Sequence, residues 1–233
     1  YALLALALLA KLALRVRFGH YGFALAMPAT LLLVASLLHL LPAGLAPGRG
    51  ALARALVAGA LAAGVVFFLG LSSEFYRRKD FPVGEGADRI LAPSPFTSPR
   101  PQLIARALER LEALVPAQGT LLVLPEGIGL NYWLRRRNPT RYNLFLPSEI
   151  AAFGEEAMLA ELRARPPDVV ALVHRRSDEF GVGSFGVDPR NGRRLMAWVE
   201  RGYRRVARLG AEPFEAEGFG VVLLRRVGPG GDS

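Results

Sequence analysis

Gly22-Phe-Ala-Leu-Ala-Met-Pro-Ala-Thr-Leu-Leu-Leu-Val-Ala-Ser-Leu-Leu-His-Leu-Leu41 carries only Thr30, Ser36 and His39 as polar side chains. At a rise of about 1.5 Å per residue, a helix of this length covers roughly the 30 Å of bilayer hydrocarbon, so the stretch reads as a membrane helix. Pro28 is compatible with that reading, because a membrane helix can re-satisfy the carbonyl that a proline frees.

Upstream, Tyr1 to Leu14 is apolar apart from Lys11 and too short to span a bilayer. The chain starts inside this run without an initiator Met, which reads as a fragment or a processed product whose first span is cut. A cleaved signal peptide would need a basic region ahead of the run and a small-residue cleavage site behind it, whereas the chain continues into Arg15-Val-Arg17.

Downstream, Pro42 to Gly50 has turn chemistry throughout, and Ala55 to Leu71 is a second apolar run, so the two runs predict a helical hairpin. Ala55, Gly59 and Ala63 recur at four-residue spacing and predict close packing against other helices. Ser72 to Lys79 brings Phe75-Tyr76 and three bases, which suits a headgroup-level anchor. Residues 1–79 are thus the membrane part, and residues 80–101, Pro-rich from Phe81 to Pro101, are a connector.

Composition repeats this division. The chain is 52% hydrophobic, with a mean hydropathy of +0.27, and the excess lies before residue 74. Residues 1–73 hold Lys11, Arg15, Arg17, Arg49 and Arg54 and no acid, while the remainder interleaves its bases with all 20 acids. That interleaving argues against nucleic acid and for anionic lipid headgroups or phosphates as partners of the basic surface. The absence of cysteine excludes disulfides, thiolate metal sites and cysteine nucleophiles. The three histidines are too scattered for a zinc site, and no cofactor is called for.

Residues 102–227 alternate between the two periodicities. Gln102 to Val115, Glu155 to Arg165 and Gly192 to Gly202 read as helices; Thr120 to Leu124, Asp168 to Val173, Arg204 to Leu209 and Gly220 to Arg226 read as strands. This order predicts a three-layer α/β domain with a mostly parallel sheet. Too few residues separate the last two strands for a helical crossover, so they predict an antiparallel edge. Residues 228–233 read as a disordered tail.

Two groups of residues carry candidate chemistry. The loop Arg15-Val-Arg-Phe-Gly-His-Tyr21 sets Arg15, Arg17, His20 and Tyr21 at headgroup level, where bases hold a lipid phosphate; an ordinary basic interfacial loop accounts for the same residues. In the second part, Leu121-Leu-Val-Leu-Pro-Glu-Gly127 and Asp168-Val-Val-Ala-Leu-Val-His174 each take a strand into a turn at its carboxyl end, where open parallel sheets bind ligands. Glu126, Asn131, Tyr132, Arg135, His174 and Arg175 are therefore expected on one sheet edge as substrate-binding residues, with helix capping and surface charge as the alternative. The aromatic-rich loops Asn138 to Pro147 and Glu179 to Gly186 read as candidate lids.

His20-Tyr-Gly-Phe-Ala-Leu-Ala-Met-Pro-Ala-Thr30, Leu124-Pro-Glu-Gly-Ile-Gly-Leu-Asn-Tyr132 and Asn138-Pro-Thr140 resemble the C-terminal portion of bacterial multi-pass glycosyltransferases, the relatives of protein O-mannosyltransferases and aminoarabinose transferases. The resemblance implies transfer of a sugar from a polyprenyl-phosphate donor to an acceptor at the extracytoplasmic face of the inner membrane. It also implies a catalytic carboxylate on a loop upstream of this chain, so that no catalytic residue is expected here. Two spans separate the Arg15 to Tyr21 loop from the soluble domain, which puts both on one side of the membrane. The bases on that side would by themselves place it in the cytoplasm, against the resemblance. The competing class is a non-catalytic, membrane-tethered α/β binding or assembly module.

Overall fold

The computed structural model describes residues 1–12, 23–45, 48–215 and 217–228. The chain divides into two compact units, Tyr1–Arg77 and Arg78–Ser233. The loop expected to hold lipid phosphate, with Arg15, Arg17, His20 and Tyr21, lies outside the described residues, as does the tail beyond residue 228.

The first unit is helical. α1 is Ala2–Leu12. α2, Phe23–Ala35, contains Pro28 and runs through a π-helical turn at Ser36–Leu40 into α3, Leu41–Ala43. α4 is Arg49–Arg77. Two helical stretches, Ala24–Ala43 and Arg49–Arg77, are long and apolar enough to cross a membrane. α4 has no buried residue, and Val66, Phe67 and Phe68 stand exposed among its side chains. A helix apolar on all sides suits a hydrocarbon environment and not water.

The hairpin turn is tighter than sequence alone predicts, because Pro42 and Ala43 remain helical and Arg49 and Gly50 already open α4. Pro42 has no N–H to give Leu38 O, its α-helical acceptor four residues back. Arg54 supplies the missing donor, its Nε–H reaching Leu38 O at 3.1 Å. One turn earlier on α4, Gly50 lies so close that a Cβ would stand 2.5 Å from Pro42 O. By contrast, Ala55, Gly59 and Ala63 are exposed, and nothing lies within 4 Å of a Cβ built at Gly59. The packing expected of that stripe is not supplied by the described residues.

The second unit opens with a sheet that the connector reading missed. β1, Lys79–Val83, pairs antiparallel with β2, Ile90–Pro93. Val83 is 3% exposed, and Gly84 takes φ +82° where a Cβ would stand 2.6 Å from the Trp133 indole nitrogen. Pro82 and Pro93, with the charges of Lys79, Asp80, Glu85, Asp88 and Arg89, mask the short β alternation here, which is why composition alone makes the segment a linker.

α5, Arg100–Leu114, then leads to β3, Leu121–Leu124. The short helix α6, Gly129–Leu134, follows, then α7, Pro147–Phe153, and α8, Glu155–Ala164. β4 is Val169–Val173, α9 is Arg193–Gly202, β5 is Tyr203–Gly210 and β6 is Gly220–Arg226. The sheet order is β3-β4-β6-β5. β3 and β4 are parallel, whereas β6 is antiparallel to both β4 and β5.

β3, β4 and β5 thus share one direction, as a mostly parallel sheet requires, but the opposing strand β6 is inserted in the interior. The expected mostly parallel sheet with an antiparallel edge is present in part: β5 pairs antiparallel at the edge, but among the described strands β3 and β4 alone are parallel neighbours. β6 is buried at every position from Gly220 to Leu224, as are all four positions of β3 at the other edge, so helices cover both faces of each. β5 exposes Arg204, Arg205 and Arg208 and takes the edge, where charge blocks further pairing.

Helices cover both sheet faces, so the three layers are present. One core joins Leu122, Leu124, Val170 and Leu172 to Met158, Leu162 and Val199. The other joins Leu121, Val123, Ala171 and Leu223 to Ala107 and Leu111. Among the described residues, neither core draws on the first unit. The expected lids belong to the first core, since Tyr142, Phe145 and Phe185 are buried in it. Their rings gain more from burial, about 1.5–3 kcal/mol for a side chain of this class, than a mobile loop would allow.

Candidate functional site at the carboxyl ends of the parallel strands

β3 leaves the sheet through Pro125 and Glu126, and Gly127 then turns with φ +150°. A Cβ at Gly127 would lie 2.7 Å from Val123 Cγ1, so the chain can double back against β3 and β4 only without a side chain there. This turn, the amino end of α5 and the β1–β2 hairpin surround a cleft of about 350 Å³. Val83, Ile90, Ile104, Leu130, Trp133 and Val173 line it, with Arg100 and Glu126 as its charged residues. The volume is in the range of about 300–1,000 Å³ typical of small-molecule sites.

The polar groups around the cleft differ in how far they are already committed. Trp133 Nε1–H donates to Asp88 O at 3.1 Å. Glu126 accepts from Arg175 Nε at 2.8 Å, and Arg175 also pairs with Glu179. The Arg100 guanidinium lies over the Phe219 ring at 4.9 Å and has no carboxylate partner among the described residues. His174 follows β4 directly and stacks near Phe214, with ring centroids 6.4 Å apart. Its Nδ1 accepts from the Phe214 N–H at 3.2 Å, while its Nε2 is buried without a partner. Burial first, then the charges of Arg100 and Arg176, hold this imidazole below its ordinary pKa.

The six residues expected on one edge therefore separate into four settings. Glu126 and Arg175 form an ion pair, with Glu126 on the cleft. His174 is the next residue along, turned toward Phe214 and Phe219. Asn131 is 6% exposed and structural, its Nδ2 donating to Leu121 O at 2.7 Å and tying α6 under β3. Tyr132 and Arg135 engage the hairpin instead: the Tyr132 hydroxyl donates to Asp88 Oδ1 at 2.6 Å, and Arg135 pairs with the same carboxylate. Arg136, beside Arg135, donates to Val115 O and Leu134 O.

Of the cleft residues that sequence reading missed, Arg100 and Ile104 share one face of α5, and Trp133 lies on α6. Only Trp133 carried a sequence signal, as a large aromatic four residues beyond Gly129. At the opposite end of the sheet, Asp168 accepts from Thr120 N and Oγ1 at 2.8 and 2.9 Å and pairs with Arg226, which aligns the starts of β3 and β4. The Thr120 hydrogen bonds hold its carboxyl below the usual range.

Compared with family models, with curated proteins and with solved structures, the chain has no match in any of the three.

Proposed function

We propose that the chain is the C-terminal portion of a membrane-bound glycosyltransferase that uses a polyprenyl-phosphate sugar, its α/β unit binding the acceptor outside the cytoplasm. The observation that carries this reading is a ligand-sized cleft in an α/β unit that follows, in one chain, two helices long and apolar enough to cross a membrane. The family likeness supplies the reaction. The α/β unit contributes binding and not bond cleavage, since Glu126, the carboxylate that lines the cleft, is already paired with Arg175.

The donor phosphate is assigned to Arg15 and Arg17, with His20 and Tyr21 beside them. Replacing both arginines by Gln in the full-length protein should lower transfer from a radiolabelled polyprenyl-phosphate sugar by at least about tenfold, because charge-assisted hydrogen bonds to phosphate are strong. An unchanged rate would return the loop to an ordinary interfacial role. The second reading, a tethered binding module without catalysis, is favoured by the cleft's lying wholly within residues 78–228. Ligand binding by that unit without sugar transfer from any such donor would establish it.

A further inference from the structure

Every wall of the cleft is apolar except where Arg100 and Glu126 face it. A free sugar or peptide needs several convergent donors and acceptors, and the polar groups present are already engaged: the Trp133 N–H is taken by Asp88 O, and the Glu126 carboxylate by Arg175. What remains available is a cation. Arg100 offers the donors of a planar guanidinium and is oriented by the Phe219 ring. No carboxylate among the described residues neutralises it. Among the described residues, Arg100 is thus the charge on the cleft without an opposite partner, since Glu126 is paired with Arg175, and the rest of the lining is apolar.

We propose that this cleft binds an apolar chain bearing an anionic head, with Arg100 holding the head and Ile104, Leu130, Trp133 and Val173 receiving the chain. The proposal rests on the reading of the cleft as a ligand site and names the class of ligand. The head is a carboxylate or a phosphate, both of which match the guanidinium fork. The chain is short or enters end-on, since the walls enclose about 350 Å³.

The protein has two tryptophans; Trp133 lines the cleft and Trp198 packs on Tyr203 in the other core. In residues 78–228, which contain both cores complete, Trp198→Phe leaves Trp133 as the fluorescent reporter. The unit is titrated with octyl phosphate, octanoate, octanol and inorganic phosphate, each below its micellar concentration. Octyl phosphate and octanoate should shift Trp133 emission saturably, and the tighter of the two identifies the head. Octanol should bind at least about tenfold more weakly, and inorganic phosphate should leave the emission unchanged. Arg100→Gln should bring the charged probes to the affinity of octanol with the melting temperature preserved. Ala92→Phe, which fills the cleft from the exposed hairpin, should abolish binding of every chain-bearing probe. Octanol binding as tightly as octyl phosphate, or an unaltered Kd in Arg100→Gln, would overturn the anionic class and leave a plain apolar ligand site. Failure of all chain-bearing probes would overturn the cleft as a ligand site too, whereas sugar transfer is measured separately.

Discussion

At the scale of single residues, buried polar groups decide more than exposed charges. Asn131 is nearly enclosed, and its Nδ2–H answers the Leu121 carbonyl at the start of β3. Asn131→Ala should destabilise residues 78–228 by about 1–3 kcal/mol, the usual result of leaving a buried carbonyl without its donor. Urea denaturation measures it, and a midpoint within error of the parent would show that water replaces the amide. His174 sets a pH dependence. Its folded pKa lies below the ordinary 6.5, so between the two values the unfolded chain binds more protons. Stability is then full above about pH 6.5 and declines as pH falls through the window beneath it. His174 is the only histidine in residues 78–233, so His174→Gln should flatten the fall in melting temperature between about pH 7.5 and roughly pH 5.5. Equal falls in both proteins would assign the dependence to other groups. These roles were half legible. The sequence marked Asn131 and His174 as substrate-binding candidates, but whether a polar side chain touches ligand or backbone depends on what the fold places opposite it.

At the scale of elements, two hairpins show how a proline or a glycine transmits its constraint to a partner distant in sequence. In the helical hairpin, Pro42 deprives Leu38 O of its donor, Arg54 replaces that donor, and Gly50 lets α4 approach. Arg54→Leu should therefore weaken the hairpin despite removing a charge from an apolar helix, because an unmet carbonyl in hydrocarbon costs several kcal/mol. Faster proteolysis or a lower unfolding temperature of the full chain in detergent would register the loss; a more stable variant would mean that the charge is the larger liability. In the β hairpin, Gly84→Ala meets both a left-handed φ and the Trp133 indole. The variant should loosen β1–β2 and expose Trp133, read as a red-shifted emission. The connector reading failed on this segment because its strands are short and its docking partner is an aromatic some fifty residues onward, outside any local window.

At the scale of the whole molecule, the two units differ in the medium their surfaces suit. The intact chain should partition into detergent, and a protease site placed between Arg77 and Arg78 should release a water-soluble unit, since both cores lie beyond that point. A site inside residues 81–93, within the supposed linker, should instead damage the cleft wall. Recovery of the intact chain in the aqueous phase would refute the spans. Without native cysteine, single cysteines at positions 49 and 228 can be labelled with an impermeant reagent in intact cells. Labelling at 228 and not at 49 is the outcome expected of an extracytoplasmic α/β unit, and the reverse pattern would place that unit in the cytoplasm.

Local periodicity and composition, read from the sequence by itself, determined two apolar helices ahead of an α/β unit, the four strands of the main sheet, and the antiparallel pairing of the last two. Tertiary structure alone decided that β6 enters between β4 and β5, because which edges pair depends on partners distant in the chain that meet only on folding. It also decided that Arg100, Ile104 and Trp133 meet Val83 and Val173 around one cleft. Helical spacing puts Arg100 and Ile104 on one face of α5, but no spacing rule links them to Val83, Trp133 or Val173. They converge because helix α5, the turn after β3 and the β hairpin pack on the same end of the sheet, and packing acts between surfaces that the chain brings together only on folding.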